Sequence, residues 1–99
     1  MNRLPKLAGA ALLVLLLSAA SARAEYVTGT VTDLFPDHMQ FVITDRDGKQ
    51  YTFRMDEDAQ VFVNEQPAVL EDVQYGDQVE VIYRMEDADL LAIEVRCTR

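Results

Sequence analysis

The chain holds one histidine, His38, and one cysteine, Cys97. A thiol nucleophile needs a base within hydrogen-bond reach and a third group to orient that base. In a period-two reading Cys97 points inward at the end of the last strand and His38 points outward, so no Cys–His pair is expected and the chain is read as a non-enzyme. The single thiol also leaves no internal disulfide, although an exposed Cys97 in an oxidising compartment can pair with another chain. The carboxylates gather in loops: Asp45 with Asp47, then Asp56-Glu57-Asp58, then Glu86, Asp87 and Asp89. Calcium and similar hard cations need several oxygens converging on one point. Asp56, Glu57 and Asp58 are the candidate divalent-cation ligands. Asp45-x-Asp47-Gly48 matches the start of a calcium loop, but the later ligands are missing and turn chemistry accounts for it. Met39, Met55 and Met85, with His38 and Cys97, have the soft donors that Cu(I) prefers. All three methionines fall on inward parity, however, and read as core filling. No cofactor is expected. Val42, Phe62 and Ile82 fall on outward parity, and an exposed apolar patch marks a partner contact.

These groups are positioned by a small chain. Of 99 residues, the first 24 have the layout of a secretory signal: Arg3 and Lys6, an apolar run from Leu7 to Leu17, and small residues ending Ala22-Arg23-Ala24. The apolar run is shorter than the roughly 20 residues of a membrane span. Cleavage after Ala24 is expected, giving a periplasmic or secreted domain over residues 25–99 with no membrane span. That portion holds all 17 acidic side chains and six of the nine basic ones, a net charge of about −11. Such a surface is unsuited to nucleic acid, whose phosphates are held by Lys and Arg.

From Glu25 onward the apolar period is two. Phe41 and Ile43, Tyr51 and Phe53, Val79 and Val81, and Val95 and Cys97 alternate with polar neighbours, as half-buried strands do. Further strands are expected near Tyr26–Leu34 and Gln60–Val63, with one helical turn within Pro67–Val73. Residues opposite each other in an antiparallel pair share a face. This parity sets Ile43 against Tyr51, Phe41 against Phe53 and Met39 against Met55, around a three-residue loop, Arg46-Asp47-Gly48. It also sets Val79, Val81, Tyr83 and Met85 against Cys97, Val95, Ile93 and Leu91, with Glu80 facing Arg96. The prediction is an all-β fold: a small antiparallel barrel, OB-like or SH3-like, of five or six strands.

The run Gly29-Thr30-Val31, the stretch Phe41 to Phe53 around Asp47-Gly48-Lys49, and the stretch Val69 to Tyr83 around Tyr75-Gly76-Asp77 resemble small exported bacterial proteins of uncharacterised families with an OB-like or SH3-like barrel. The resemblance covers nearly all of residues 25–99, and its motifs are structural. One departure is Glu65, in the turn Asn64-Glu65-Gln66-Pro67, where a glycine is expected. The functional expectation is an exported, non-enzymatic envelope module that binds a protein or small ligand through its barrel face or loops. The alternative is divalent-cation binding at the acidic loops.

Overall fold

The computed structural model describes residues 24–99, so the leader expected over residues 1–24 lies, apart from Ala24, outside the described residues. Six strands follow in order: β1 Glu25–Phe35, β2 Gln40–Thr44, β3 Gln50–Val63, β4 Gln66–Ala68, β5 Gln78–Glu86 and β6 Asp89–Thr98. A 3₁₀ turn, Pro36–His38, joins β1 to β2, and a second, Leu70–Asp72, precedes β5. The ladders run β2–β1–β5–β6–β3–β4, and β2 also pairs with β3. Five strands therefore close a ring, with β4 appended to β3. Five is the strand number of OB-type barrels. All neighbours are antiparallel except β3 and β6, which run parallel. The parallel seam has a simple cause: a ring with an odd number of strands cannot alternate direction throughout.

The β2–β3 hairpin has the predicted register, with Phe41 opposite Phe53 and Ile43 opposite Tyr51. Its loop closes as Gly48, at φ 87°, donates its N–H to the Asp45 carbonyl at 3.0 Å. That left-handed angle suits glycine. The Asp45 carboxylate accepts the N–H groups of Asp47 and Lys49, each at 2.9 Å. These bonds, that from Lys49 first, hold its pKa below the ordinary aspartate value.

The β5–β6 hairpin follows the expected register from Val79–Cys97 to Val81–Val95, with Glu80 facing Arg96. It then slips at a bulge. Tyr83 faces Ala92 rather than Ile93, Met85 faces Leu90 rather than Leu91, and the loop shortens to Asp87-Ala88. One extra residue in β6 does this, and it buries Leu91 and Ala92 in succession. Two methionines expected inside are exposed. Met39 occupies a left-handed position (φ 54°) after the Pro36–His38 turn, before β2 begins. Met85 projects past the start of β1, whose first residue, Glu25, faces Tyr83. The strands expected separately over Tyr51–Met55 and Gln60–Val63 are one, β3. Its ladder with β6 is interrupted between Met55 and Gln60, so the acidic segment arches out.

The core is a compact set of Val31, Phe41, Ile43, Phe53, Val81 and Val95, each 2 % exposed or less. The rings of Phe41 and Phe53 lie stacked 5.3 Å apart, and Tyr83 meets Phe53 edge-on at 5.3 Å. Such pairs add about 0.5–1.5 kcal/mol beyond area burial. Leu70 and Val73, from the segment expected to form one helical turn, plug the barrel. Gly29 lets β2 cross closely, because a Cβ there would stand 2.6 Å from the Thr44 carbonyl oxygen.

The β3–β4 turn places both Asn64 (φ 50°) and Glu65 (φ 71°) in the left-handed region. Asn tolerates this conformation, whereas a glutamate there is strained by about 1–2 kcal/mol. Glu65→Gly is expected to raise stability by about 0.5–1 kcal/mol, the relieved strain being partly offset by the greater freedom of glycine in the unfolded chain. Denaturant melts of the two proteins check this.

Candidate functional site

The registers place two rows of side chains on the outer face of β1, β5, β6 and β3. One row is Thr28, Glu80, Arg96 and Phe62, and the next is Tyr26, Ile82, Glu94 and Gln60. Phe62 and Ile82, both half-buried, thus share one outer face on adjacent rows. Val42 does not join them. It lies on β2 between Asp33 and Thr52, on another side of the barrel. The Arg96 guanidinium stacks 4.9 Å from the Phe62 ring centre, and its Nε donates to the Glu94 carboxylate. Tyr26 is 67 % exposed. An open concavity of about 1000 Å³ lies along this face, lined by Tyr26 to Thr30, the Thr44–Arg46 corner, Phe62, Glu80 and Arg96. The face is of mixed polarity, and among the described residues no nucleophile is assembled on it.

The acidic segment is tied to arginine. Asp56 lies 3.6 Å from Arg84 Nη2, which also donates to Glu86 at 3.3 Å. The second Asp56 oxygen accepts the Asp58 N–H at 3.3 Å. Among the described residues, no three His, Cys, Asp or Glu side chains group to hold a metal ion. Asp56, Glu57 and Asp58 are adjacent in sequence, but the arch does not bring them to one point.

His38 is exposed in the turn between β1 and β2, and Cys97 lies in the core beside Val79 and Val63. Burial pushes the Cys97 thiol up to about 11, with the nearby Asp77 carboxylate adding to the shift. Such a thiol stays protonated and unreactive at neutral pH. The soft donors divide. Met39 and Met55 are neighbours, the Met55 N–H donating to the Met39 carbonyl at 2.8 Å. Met85 stands apart, paired with Leu90 on β6.

One buried charge escapes a reading of the sequence. Asp77, 4 % exposed, follows the left-handed Gly76 in a turn that periodicity treats as surface. Its carboxylate accepts Arg99 Nε at 2.9 Å, Arg99 Nη2 at 2.7 Å and the Gln74 N–H at 2.9 Å. Arg99 Nη2 also reaches the Asp72 carbonyl, and the Arg99 N–H donates to Asn64 Oδ1 at 3.0 Å. The end of β6 is thereby fastened to the turns before β4 and β5. The only available signal was an aspartate in a Gly-Asp turn, which does not reveal a partner 22 residues away.

No family model matches this sequence, and no curated protein matches it. The class that the fold defines is a closed five-stranded β-barrel with a sixth strand appended. Within that class the chain is similar to solved structures of CusF. It covers 77 % of this chain and 99 % of the silver-bound CusF crystal structure, at a TM-score of 0.59 and 11 % identity. Silver-bound CusF residues 10–88 from Escherichia coli give a TM-score of 0.60 at 11 % identity, over 78 % of this chain and 94 % of that one. Apo-CusF residues 6–88 give 0.59 at 11 %, over 78 % and 89 %. At this identity the likeness is one of fold.

The Arg99 bonds, more than burial opposes them, hold the Asp77 carboxyl below the ordinary value of 3.8. A carboxylate depressed in the folded state stabilises above its unfolded pKa, and that contribution is lost as pH falls through the folded one. Arg99→Ala is expected to cost about 1–3 kcal/mol at pH 7. It should also flatten the decline in stability below about pH 4. Denaturant melts from pH 7 to pH 2.5 check both.

Proposed function

We propose that this chain is an exported, non-enzymatic envelope module that binds a protein or small ligand through the outer face of β1, β5, β6 and β3. The observation that carries this reading is the concavity where Tyr26 stands exposed and the Phe62–Arg96 pair lines the surface. Aromatic and arginine side chains are the groups most enriched among strong contact residues. Export rests on the leader-like first 24 residues, and among the described residues no helix is long and apolar enough to cross a membrane. The test compares recovery of envelope components on immobilised wild type, Phe62→Asp, Ile82→Glu and Val42→Glu. The first two substitutions are expected to lower specific recovery at least tenfold with unchanged circular dichroism. Val42→Glu, on another side of the barrel, leaves recovery intact. Equal recovery by all four proteins excludes this face. Mass spectrometry of the exported form is expected to find Glu25 at its N-terminus.

A second reading, binding of a soft monovalent cation, is favoured by the likeness to silver-bound CusF and by the pairing of Met39 with Met55, with His38 next to Met39 in the chain. Thioether and imidazole suit such ions better than the scattered carboxylates suit calcium. Silver at 100 times its dissociation constant is expected to stabilise the fold by about 2.7 kcal/mol. Met39→Ala and His38→Ala should each weaken that shift. A calcium shift lost on neutralising Asp56, Glu57 and Asp58 would instead restore the acidic segment as the site.

A further inference from the structure

The first half of β1 is a sheet edge. β1 pairs with β5 from Glu25 to Thr30, but its ladder with β2 begins only at Thr30 opposite Thr44. Val31 turns both its backbone groups toward the β5 side: its N–H donates to the Asp77 carbonyl at 3.0 Å, and its carbonyl accepts the Gly76 N–H at 2.9 Å. Antiparallel strands alternate the direction of these groups residue by residue. Gly29 and Val27 therefore also face β5. Tyr26 and Thr28 direct their N–H and C=O groups the other way, where no strand of the described chain pairs with them. Five consecutive residues, Tyr26 to Thr30, line the concavity beside this edge, with the Thr44–Arg46 corner bounding it.

Natural sheets usually cover or blunt such an edge, because it templates a further strand. This one carries no proline and no lysine, and its two outward residues, Tyr26 and Thr28, suit a strand. A second copy of the chain is a poor occupant, since two domains of about −11 each would repel. Locally, Glu25 on β1 with Asp45, Glu65 and Glu80 along the concavity outnumber the two cations there, Arg46 and Arg96.

We propose that the free edge of β1 at Tyr26 and Thr28 accepts an extended, basic segment of a partner protein as an added antiparallel strand. Main-chain bonds supply the pairing, and opposite charge selects the segment. The proposal goes beyond the face reading above, because it depends on backbone groups that Phe62→Asp and Ile82→Glu leave in place.

The test is amide hydrogen exchange, followed by NMR, on the purified protein alone and with a capped decapeptide of alternating Lys and Val or its Glu-Val counterpart. Val27 and Gly29, bonded to β5, are internal controls that exchange slowly throughout. In the free protein Tyr26 and Thr28 are expected to exchange fast. The Lys-Val peptide should slow both at least tenfold, and the Glu-Val peptide should not. Thr28→Pro removes one outward N–H, leaves the β5 ladder intact and should abolish peptide binding. Phe62→Asp should leave the protection in place, so failure of the face and failure of the edge are told apart. Slow exchange of Tyr26 and Thr28 in the free protein, rising with protein concentration, would mean that a second copy takes the edge and would overturn the proposal. So would peptide binding that survives Thr28→Pro or leaves both amides unprotected.

Discussion

A closed ring of five strands must contain one parallel pair, and the rest of this barrel is arranged around that seam between β3 and β6. A parallel neighbour cannot be reached by a tight hairpin, so the chain leaves β3 and returns through β4, the Leu70–Asp72 turn and β5. Each piece of the detour finds use. β4 extends the sheet beside β3, and Leu70 and Val73 are buried in the barrel. Where β3 and β6 fall out of step, between Met55 and Gln60, the excess chain arches outward and is acidic, as solvated chain can be. The same curvature divides β1 between two partners and leaves its first half with an edge that no strand among the described residues pairs.

With no disulfide, closure rests on a small core and on satisfied polar groups. The aromatic stack of Phe41, Phe53 and Tyr83 joins β2, β3 and β5 across the interior. At the far end of β6 the Asp77–Arg99 pair does by hydrogen bonding what apolar packing does elsewhere. A buried carboxylate is costly alone. Here two guanidinium bonds and one backbone N–H meet it, and no buried side-chain oxygen or nitrogen among the described residues lacks a partner. The turns follow the same economy: of the six left-handed positions among the described residues, four fall to Gly48, Gly76, Asn64 and Asp87, which tolerate them, and Met39 and Glu65 are the strained ones.

For function, burial removes chemistry as much as it assembles it. Cys97 is sealed in the core and Asp77 is neutralised by Arg99, while Asp56 is held near Arg84. What stays available is shape and surface: an outer face with Tyr26, Ile82 and Phe62, an unpaired strand edge beside it, and a turn with His38 and Met39. Those are the parts on which the proposed binding role rests. The likeness to CusF, with and without silver, is a likeness of barrel.

The sequence by itself determined β1, β2, β5, β6 and both stretches of β3, but not β4, together with the β2–β3 register and the β5–β6 register as far as Val81–Val95. Period-two alternation and turn residues are local, so Phe41–Phe53, Ile43–Tyr51, Val79–Cys97 and the Gly48 loop could be read from neighbours alone. It also placed Phe62 and Ile82 outward. Parity could not say that they share a face from which Val42 is excluded, because that depends on which strands become neighbours. Tertiary structure decided the parallel seam, the slip after Ile82 and the exposure of Met39 and Met85. It also decided the burial of Asp77 by an arginine distant in sequence and the open edge of β1. The physical reason is common to all of these. Alternation fixes which side of a strand is apolar, whereas closing a curved sheet with few strands fixes offsets, bulges and ends through contacts between residues far apart in the chain.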